Sequence, residues 1–371
     1  MTVRSAASAA DLRTFIDFPY RHYRNDPLWV PPLRRDVATL LSRTKNPFFE
    51  HAEVGCFLAE RPDGVVGRIA AIKNDAHGRA HPEEATVGFF GLFESADDQA
   101  VADALFSAAA AWLRARGLTV MRGPMNLSTN DDCGLLVEGF GTPPVVMMPH
   151  NPRYYTRLVE RAGFTKAMDL LAYEGGRDAV PARLTEAAPK LADRYKITLR
   201  PLDMKRFWRD VEQLKLLYNQ AWEKNWGFIP MTDAEMNHLA RQLKPVVVPD
   251  LVVFAAIGER LVGFAIALPD FNVALRTNRS GRLFPFGIFR ILWHQRKITR
   301  ARVVTLGVLP EFRRTGADAM MYEWLWRHGL ALGYPWGESS WILETNAAMR
   351  NALERMGCTV YKTYRVYDRR L

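Results

Sequence analysis

Hydrophobic and polar positions along the chain change between the two-residue repeat of strands and the 3.6-residue repeat of helices. Residues 197–218 begin with ITLRP and continue with apolar positions three or four apart, which predicts a strand and then an amphipathic helix. Residues 252–268 are two apolar runs joined by the polar turn Gly258-Glu259-Arg260, which predicts a β-hairpin. The pattern then predicts a long strand, a helix, a strand, a helix and a last strand.

The same order of elements occurs twice, at a spacing of about 195 residues. Residues 2–23 match 197–218, residues 57–72 match the hairpin, residues 86–117 match 303–333, and residues 158–173 match 352–367. Four matches in the same order favour an internal duplication. The sequence therefore predicts an α+β fold of two domains, 1–177 and 197–371, joined by a linker at 178–196 in which glycine, proline and charge interrupt the periodicity.

A turn with paired arginines leads from the long strand of the second half into the next helix. The residues of this turn are Arg313, Arg314, Thr315, Gly316 and Ala317. Free N–H groups at a helix N-terminus and the positive end of the helix dipole suit an anion such as a pyrophosphate. The matching stretch of the first half contains Glu94, Asp97 and Asp98 and no basic residue. An anionic ligand is therefore expected in the second half, with solvated arginines at a helix cap as the alternative.

The element order and this turn resemble the GNAT superfamily of acyl-CoA-dependent N-acyltransferases, arranged in tandem. The resemblance implies two GNAT-like domains, each a mixed sheet flanked by helices. It also implies acyl-CoA as donor substrate. Because the acidic stretch of the first half would repel a pyrophosphate, we expect that the first domain has lost CoA binding and serves as a scaffold or substrate platform. The residues that it assigns to acyl-CoA are Leu306, Gly307, Val308, Arg313, Arg314, Thr315, Gly316, Ala317 and Asn346.

Two positions depart from the superfamily pattern. Asp318 stands where a small residue is usual and would repel phosphate. Leu353 occupies the position at which the superfamily often has a tyrosine that protonates the leaving thiolate. Catalysis still requires a proton acceptor for the amine and stabilisation of the thioester oxygen, which the backbone of 306–308 supplies in the superfamily.

A polar run, NLSTNDDC at residues 126–133, follows an apolar strand of the first half and has no counterpart in the second. One interpretation is an Asx-rich turn. The other is that the run, with Asn130, reaches the thioester site, where the carboxylate of Asp131 or Asp132 recognises the amine and His150 accepts a proton. If this run is only a turn, catalysis lies in the second half around Glu344 and Tyr364.

Two further segments concern the substrate. Trp222, Asn225, Trp226 and Phe228 lie in a region that lines the acceptor pocket in the superfamily, although core packing also explains aromatics at helical spacing. Residues 276–302 form an insert with no acidic residue, in which Phe286, Phe289 and other aromatics are interspersed with arginines. Such a segment fits a membrane surface, a lid over a long acyl chain that Phe286 and Phe289 would contact, or a packed connector.

Composition agrees with an anionic partner. The net charge of +10 and pI near 9.6 suit acyl-CoA or an anionic membrane, and no recognition motif supports nucleic acid. No apolar run reaches the roughly 18 residues of a spanning helix, so the sequence predicts a cytoplasmic protein that can lie on the inner leaflet. The three cysteines lack metal-ligand spacing, and no metal is expected.

Several strings, among them DPLWVPPL, KNPFFEHAE, GPMNLSTNDDCG and NWGFIPMT, resemble a subgroup of tandem GNAT proteins that includes bacterial ceramide synthases. This resemblance implies transfer of a long fatty acyl chain to the amine of a sphingoid base. Two alternatives remain open at this point: a soluble acetyltransferase acting on a small amine, and a non-catalytic adaptor at a lipid surface.

Overall fold

The computed structural model describes residues 1–176, 180–223 and 225–371. The helices and strands of the first half, in chain order, are β1 (Thr2–Ser5), α1 (Ala9–His22), α2 (Arg34–Leu40), β2 (Ala52–Arg61), β3 (Gly64–Asn74), α3 (Asp75–Ala80), β4 (Val87–Ser95), α4 (Gln99–Arg114), β5 (Val120–Gly123), β6 (Met125–Asn126), β7 (Asp132–Cys133), β8 (Leu135–Glu138), α5 (Tyr154–Arg161) and β9 (Thr165–Gly175).

The helices and strands that follow are α6 (Ala182–Tyr195), β10 (Ile197–Pro201), α7 (Phe207–Trp222), α8 (Asp233–Leu243), β11 (Val252–Ile257), β12 (Arg260–Pro269), α9 (Asn272–Leu275), α10 (Gly287–His294), β13 (Arg300–Val308), α11 (Ala317–Ala331), β14 (Trp336–Leu343), α12 (Ala347–Arg355) and β15 (Thr359–Arg370). The predicted α+β class and the repeated order of elements are confirmed.

Apart from β6 and β7, which pair with each other, the strands of both halves form one continuous sheet. Its order is β1-β2-β3-β4-β5-β15-β9-β14-β13-β12-β11-β10, with β8 beside β15. The last strand of each half pairs with a strand of the other half: β15 pairs with β5, and β9 pairs with β14. This strand exchange places residues of the first half next to the second half's sheet.

The parallel strands of the second half separate part of the way along. Arg300–Val303 of β13 pair with Trp336–Ser339 of β14, whereas β13 continues to Val308 and β14 to Leu343 without further pairing between them. Because alternate backbone groups of a strand face each neighbour, β13 directs unpaired N–H and C=O groups into the resulting cleft.

The corresponding cleft of the first half is filled by its own chain. There β4 and β5 pair only over Val87–Phe89 and Val120–Arg122, and the side chain of Asn126 enters beyond them. Its Oδ1 accepts the backbone N–H of Leu92 at 2.7 Å. Among the described residues, the open cleft between parallel strands is therefore that of the second half.

The segment predicted as a linker contains helix α6. Leu184 is buried, and Ala188, Leu191, Ala192 and Tyr195 are partly buried and pack against core clusters of the second half. These positions follow helical spacing, which the prolines and charges of the segment obscured. The predicted boundary at 177–178 lies outside the described residues.

Within the insert at 276–302, Arg279 docks on the first half, several side chains around α10 are exposed, and the last residues enter β13. Arg279 donates to the backbone oxygens of Tyr23, Trp29 and Asp26, whereas the apolar side chains on and before α10 are 49–73% exposed. These exposed side chains are Phe284, Phe286, Phe289, Leu292 and Trp293. In the described parts of the chain, no helix is long and apolar enough to cross a membrane.

Candidate active site

The cleft between β13 and β14 contains five of the residues predicted to bind acyl-CoA. Leu306, Gly307 and Val308 line it from β13, Asn346 from the start of α12 and Arg313 from the turn before α11. Asn346 caps α12, because its Oδ1 accepts the N–H of Met349 at 3.2 Å. The cleft thus combines strand backbone, a helix cap and a guanidinium.

The remaining four predicted residues form the turn beside the cleft. Arg314 is exposed, Thr315 Oγ1 donates to the backbone oxygen of Phe312, and Ala317 is buried in the first turn of α11. Gly316 has φ +80°, and a Cβ there would lie 2.6 Å from Leu191 of α6. The glycine therefore makes room for α6 as well as opening the helix N-terminus, so a Gly316→Val change would test packing rather than ligand binding.

Two features of this turn bear on phosphate binding. The Arg313 guanidinium donates to the carbonyl oxygen of Ala221 at 2.8 Å, so it ties the end of α7 to the cleft. Asp318, expected to repel phosphate, lines the cleft, and burial raises the pKa of its carboxyl. A raised pKa favours the neutral form and weakens the expected repulsion.

Arg314→Glu is expected to raise the KM for acyl-CoA by roughly 10- to 100-fold with little change in kcat. The reason is that an exposed cation at the mouth of the cleft is replaced by an anion beside the phosphates. Steady-state kinetics measure this, with Asp97→Ala in the matching turn of the first half as the control. Equal KM values for Arg314→Glu and the wild type would place the phosphates elsewhere.

A second cavity adjoins the cleft and shares four lining residues with it: Trp222, Asn225, Trp226 and Leu343. Its apolar part lies between α7, α8 and β12 and is lined by Leu214, Phe228, Met231, Met236, Leu239, Leu243 and Ile266. Its polar part contains Thr129, Asn130, Asp131, Asp132, Arg302 and Thr305. The two cavities therefore lie side by side between the turn before α11 and the polar run of the first half.

Two side chains of the first half donate hydrogen bonds to residues 227–229, which follow α7 beside the second cavity. Thr129 Oγ1 donates to the backbone oxygen of Gly227 at 2.8 Å, and Asn130 Nδ2 donates to that of Ile229 at 3.0 Å. Asn130 Oδ1 accepts the hydroxyl of Tyr218 at 2.9 Å. The polar run of the first half therefore contacts the second half, and Asn130 is held by hydrogen bonds to Ile229 and Tyr218 of that half.

The two carboxyl groups of the polar run, Asp131 and Asp132, both have raised pKa values. Burial, and after it the neighbouring charge of Asp132, raise the pKa of Asp131 to about 7, although Ser128 donates to it at 3.1 Å. Burial also raises the pKa of Asp132, which the charge of Arg302 opposes. A carboxyl that titrates near neutral pH can both accept a proton from an ammonium group and release it again.

Other predicted residues lie outside both cavities. His150 Nε2 pairs with Asp26 at 2.7 Å, and Glu344 pairs with Lys166 at 2.6 Å, so each side chain is engaged elsewhere. Phe286 and Phe289 are exposed on the insert, 70% and 68% respectively. None of these four is assigned to the cavities.

Tyr364 and Leu353 also lie outside the cleft and the second cavity. Tyr364 is fully buried, and its hydroxyl has no hydrogen-bond partner among the residues that the structure describes. Leu353 is 1% exposed in an apolar cluster. Neither is in a position to protonate a leaving group in the cleft.

Sequence reasoning missed several residues of the second cavity. Arg302 is the most informative, because it is a charged side chain within the apolar strand ARVVTL, which is a signal for a paired buried charge. Met236, Leu239 and Leu243 belong to the amphipathic pattern of α8, and the sequence offered no sign that their face borders a cavity.

No profile of a protein family matches the chain. Among solved structures, the fold is similar to a tandem GNAT protein from the clavulanic acid biosynthesis pathway, with TM-score 0.55 and 12% identity over 100% of this chain and 98% of that one. It is also similar to a GCN5-related N-acetyltransferase from Sphaerobacter thermophilus, with TM-score 0.50 and 13% identity over 85% and 80% of the two chains. The chain therefore has the fold of a tandem GNAT protein.

Two curated proteins resemble the chain over its full length. One is the bacterial ceramide synthase of Caulobacter vibrioides, 39% identical over 100% of this chain and 98% of that protein. The other is protein YghO of Escherichia coli, 37% identical over 100% and 95%. The chain belongs to the family that contains these two proteins.

Proposed function

We propose that this protein transfers a long fatty acyl chain from acyl-CoA to the amine of a sphingoid base, forming an amide. The observation that carries the proposal is that the open cleft shares a wall with an apolar cavity that has a carboxyl near its polar end. The name of the Caulobacter relative supports the same substrate class.

The geometry supplies the groups that amide formation needs. An ammonium group at the polar end meets Asp131, which accepts its proton because the carboxyl titrates near pH 7. The free amine then attacks the thioester carbonyl, and backbone N–H groups of residues 306–308 at the splayed strand stabilise the oxygen as it becomes negative. The carbon–sulfur bond breaks, and the thiol product leaves through the cleft.

The apolar part of the second cavity suits an alkyl chain. Met231, Met236 and Leu239 present flexible apolar side chains, and burial of each methylene group stabilises the complex by about 0.8 kcal/mol. An acetyl group would not bury this apolar surface. The cavity therefore favours long-chain over short-chain donors.

The experiment for this proposal is incubation of the purified chain with palmitoyl-CoA and sphinganine, followed by mass spectrometry of the lipid extract. We expect N-palmitoyl sphinganine together with one free CoA per amide. Release of CoA without an amide product, or no reaction with any long-chain donor, would overturn the proposal.

We also propose that the exposed segment 284–297 binds an anionic membrane surface. Its apolar side chains, defined above, alternate with the exposed cations Arg290, Arg296 and Lys297. Apolar groups that enter the headgroup region and cations that face anionic lipid are the two components of interfacial binding. Such binding would bring the enzyme to a lipid acceptor.

Phe289→Ser combined with Trp293→Ser is expected to lower the bound fraction on vesicles of phosphatidylglycerol and phosphatidylcholine by about tenfold. Raised salt should weaken binding of the wild type, because it screens the cations. Sedimentation measures both effects. Leu216→Ser is the matched control, since Leu216 is 68% exposed on α7 outside the segment. Undiminished binding of the double variant would contradict the membrane proposal.

A further inference from the structure

The second cavity has another apolar wall, formed by residues outside α7, α8 and β12. Its side chains, called the β9–β14 wall below, are those of Cys133, Met147, Leu170, Trp341 and Leu343. Leu170 of β9 lies directly opposite Leu343 of β14 in the antiparallel pairing of these strands. Because three of the five residues belong to the first half, both halves of the chain build this wall.

The β9–β14 wall and the apolar part between α7, α8 and β12 lie on opposite sides of β13. The order of strands here is β9-β14-β13-β12, so three strand spacings of about 4.8 Å separate β9 from β12 by roughly 14 Å. The two regions also belong to different core clusters, one with Cys133 and Leu170 and the other with Met236, against which Ile266 packs. The second cavity therefore has two distinct apolar regions.

The polar run lies between these two apolar regions. Asn130 accepts a hydrogen bond from the hydroxyl of Tyr218 on α7 at 2.9 Å, which places this part of the run beside the first region. Cys133 at the end of the run belongs to the β9–β14 wall. Asp131 and Asp132 connect the two, and both line the cavity. An ammonium group at these carboxyls therefore has the β9–β14 wall next to it.

Met147 is held in this wall by side chains of the second half. Its backbone has φ +58°, a left-handed conformation that is unfavourable for a residue other than glycine. Arg302 donates to its carbonyl oxygen at 2.8 Å, and Asp270 accepts the N–H of the preceding residue, Val146, at 2.8 Å. Strained backbone persists where surrounding contacts fix it, and it is common at ligand sites. Here it accompanies a methionine side chain at the cavity wall.

The position of the cleft indicates which substrate each apolar region suits. Of the four residues that line both the cleft and the second cavity, Trp222, Asn225 and Trp226 lie at the end of α7 or soon after it. The fourth, Leu343, lies on β14. A donor whose thioester lies in the cleft therefore meets mainly the α7 side of the second cavity, which leaves the β9–β14 wall for a different alkyl chain.

We infer that the β9–β14 wall binds the alkyl chain of the acceptor amine, while the acyl chain of the donor occupies the region between α7, α8 and β12. This inference rests on the proposed function. The carboxyls of the polar run attract the ammonium group, and the alkyl chain continues from there along Cys133 and Leu170. Burial of its methylene groups against the wall favours an amine with a long chain over one with a short chain.

The test measures how acyl transfer depends on the chain length of each substrate. The acceptor ratio is kcat/KM for sphinganine divided by that for a short-chain sphinganine analogue, with palmitoyl-CoA as donor. The donor ratio is kcat/KM for palmitoyl-CoA divided by that for octanoyl-CoA, with sphinganine as acceptor. Met147→Ala is expected to lower the acceptor ratio by about tenfold and to leave the donor ratio within about twofold of the wild type.

Leu239→Ala on α8 is the matched variant, because it truncates a side chain of the other apolar region. It should lower the donor ratio by a similar factor and leave the acceptor ratio unchanged. Met147→Gly removes the same side chain as Met147→Ala and suits the left-handed backbone, so it serves if the alanine variant does not fold. A Met147 variant that lowers the donor ratio, or that changes neither ratio, would overturn the inference, as would a Leu239 variant that lowers the acceptor ratio.

A binding measurement without turnover separates this inference from the proposed function. Calorimetry with sphinganine below its micelle concentration, in the presence of free CoA, should give a Kd that Met147→Ala raises about tenfold and Leu239→Ala leaves unchanged. A wild type that shows this pattern but forms no amide from palmitoyl-CoA would refute the proposed function alone. Amide formation with equal Kd values for sphinganine in the wild type and Met147→Ala would refute the inference alone, and so would a wild type that does not bind sphinganine.

Discussion

Asp131→Asn is expected to lower kcat/KM for acyl transfer by roughly 100- to 10,000-fold, because asparagine cannot accept a proton from the acceptor ammonium. The side chain keeps its size and can still accept the hydrogen bond from Ser128. The residual rate should rise with pH as more of the free amine forms in solution. Initial rates of amide formation at pH 7 and pH 9 measure both effects.

The matched control for this change is Asp97→Asn. Asp97 belongs to the first half's turn before α4 and pairs with Arg157 at the surface. Loss of the Asp97 carboxylate charge should leave kcat/KM for acyl transfer unchanged. A well-folded Asp131→Asn variant with the wild-type rate would exclude a proton-accepting role for this carboxyl.

Gly307→Ala is expected to lower kcat/KM for acyl-CoA by about 100-fold or more. A Cβ at this position would lie 2.3 Å from the ring of Trp222, which separates the cleft from the second cavity and lines both. The ring or the strand must then move, and a displacement of about 1 Å at a reacting thioester has an effect of this size. Binding of CoA measured by calorimetry should weaken in parallel.

Gly337→Ala provides the comparison for the same substitution in the same sheet. Among the described residues, its added Cβ would have only Gly175 O within 4 Å, at 3.8 Å, and Gly337 lines neither cavity of the site. It should retain near wild-type kinetics. Similar losses in both variants would mean that the effect is one of sheet stability and not of the cleft.

The repeat allowed most of the fold to be predicted, because two copies of one hydrophobic pattern support each other. The hairpins β2–β3 and β11–β12 and the helices α4 and α11 occur where the pattern predicts them. The exchange of β9 and β15 could not be predicted in this way. Alternation along a strand shows which side chains are buried, but it contains no information on which strand lies next to it.

Part of the candidate site could be predicted from the sequence. Pairing between residues far apart in the chain, which the sequence does not show, limited the rest. Asn130, Asp131, Trp222 and Trp226 do line one cavity, although their chemical roles remain predictions. His150 and Glu344 were attractive as isolated titratable residues, yet each has a partner, Asp26 and Lys166, more than 120 positions away in the sequence. Long-range pairing also hid Arg302, because two of its carbonyl partners, Val146 and Met147, belong to the other half.

The central claim is that the second cavity accepts a long acyl chain and presents it to a sphingoid amine. The most direct measurement is kcat/KM for palmitoyl-CoA and for acetyl-CoA with sphinganine as the common acceptor. The account predicts a preference for palmitoyl-CoA of at least about 100-fold, because the apolar wall formed by α7, α8 and β12 stabilises only the longer chain. Equal values, or a preference for acetyl-CoA, would contradict it and favour an acetyltransferase acting on a small amine.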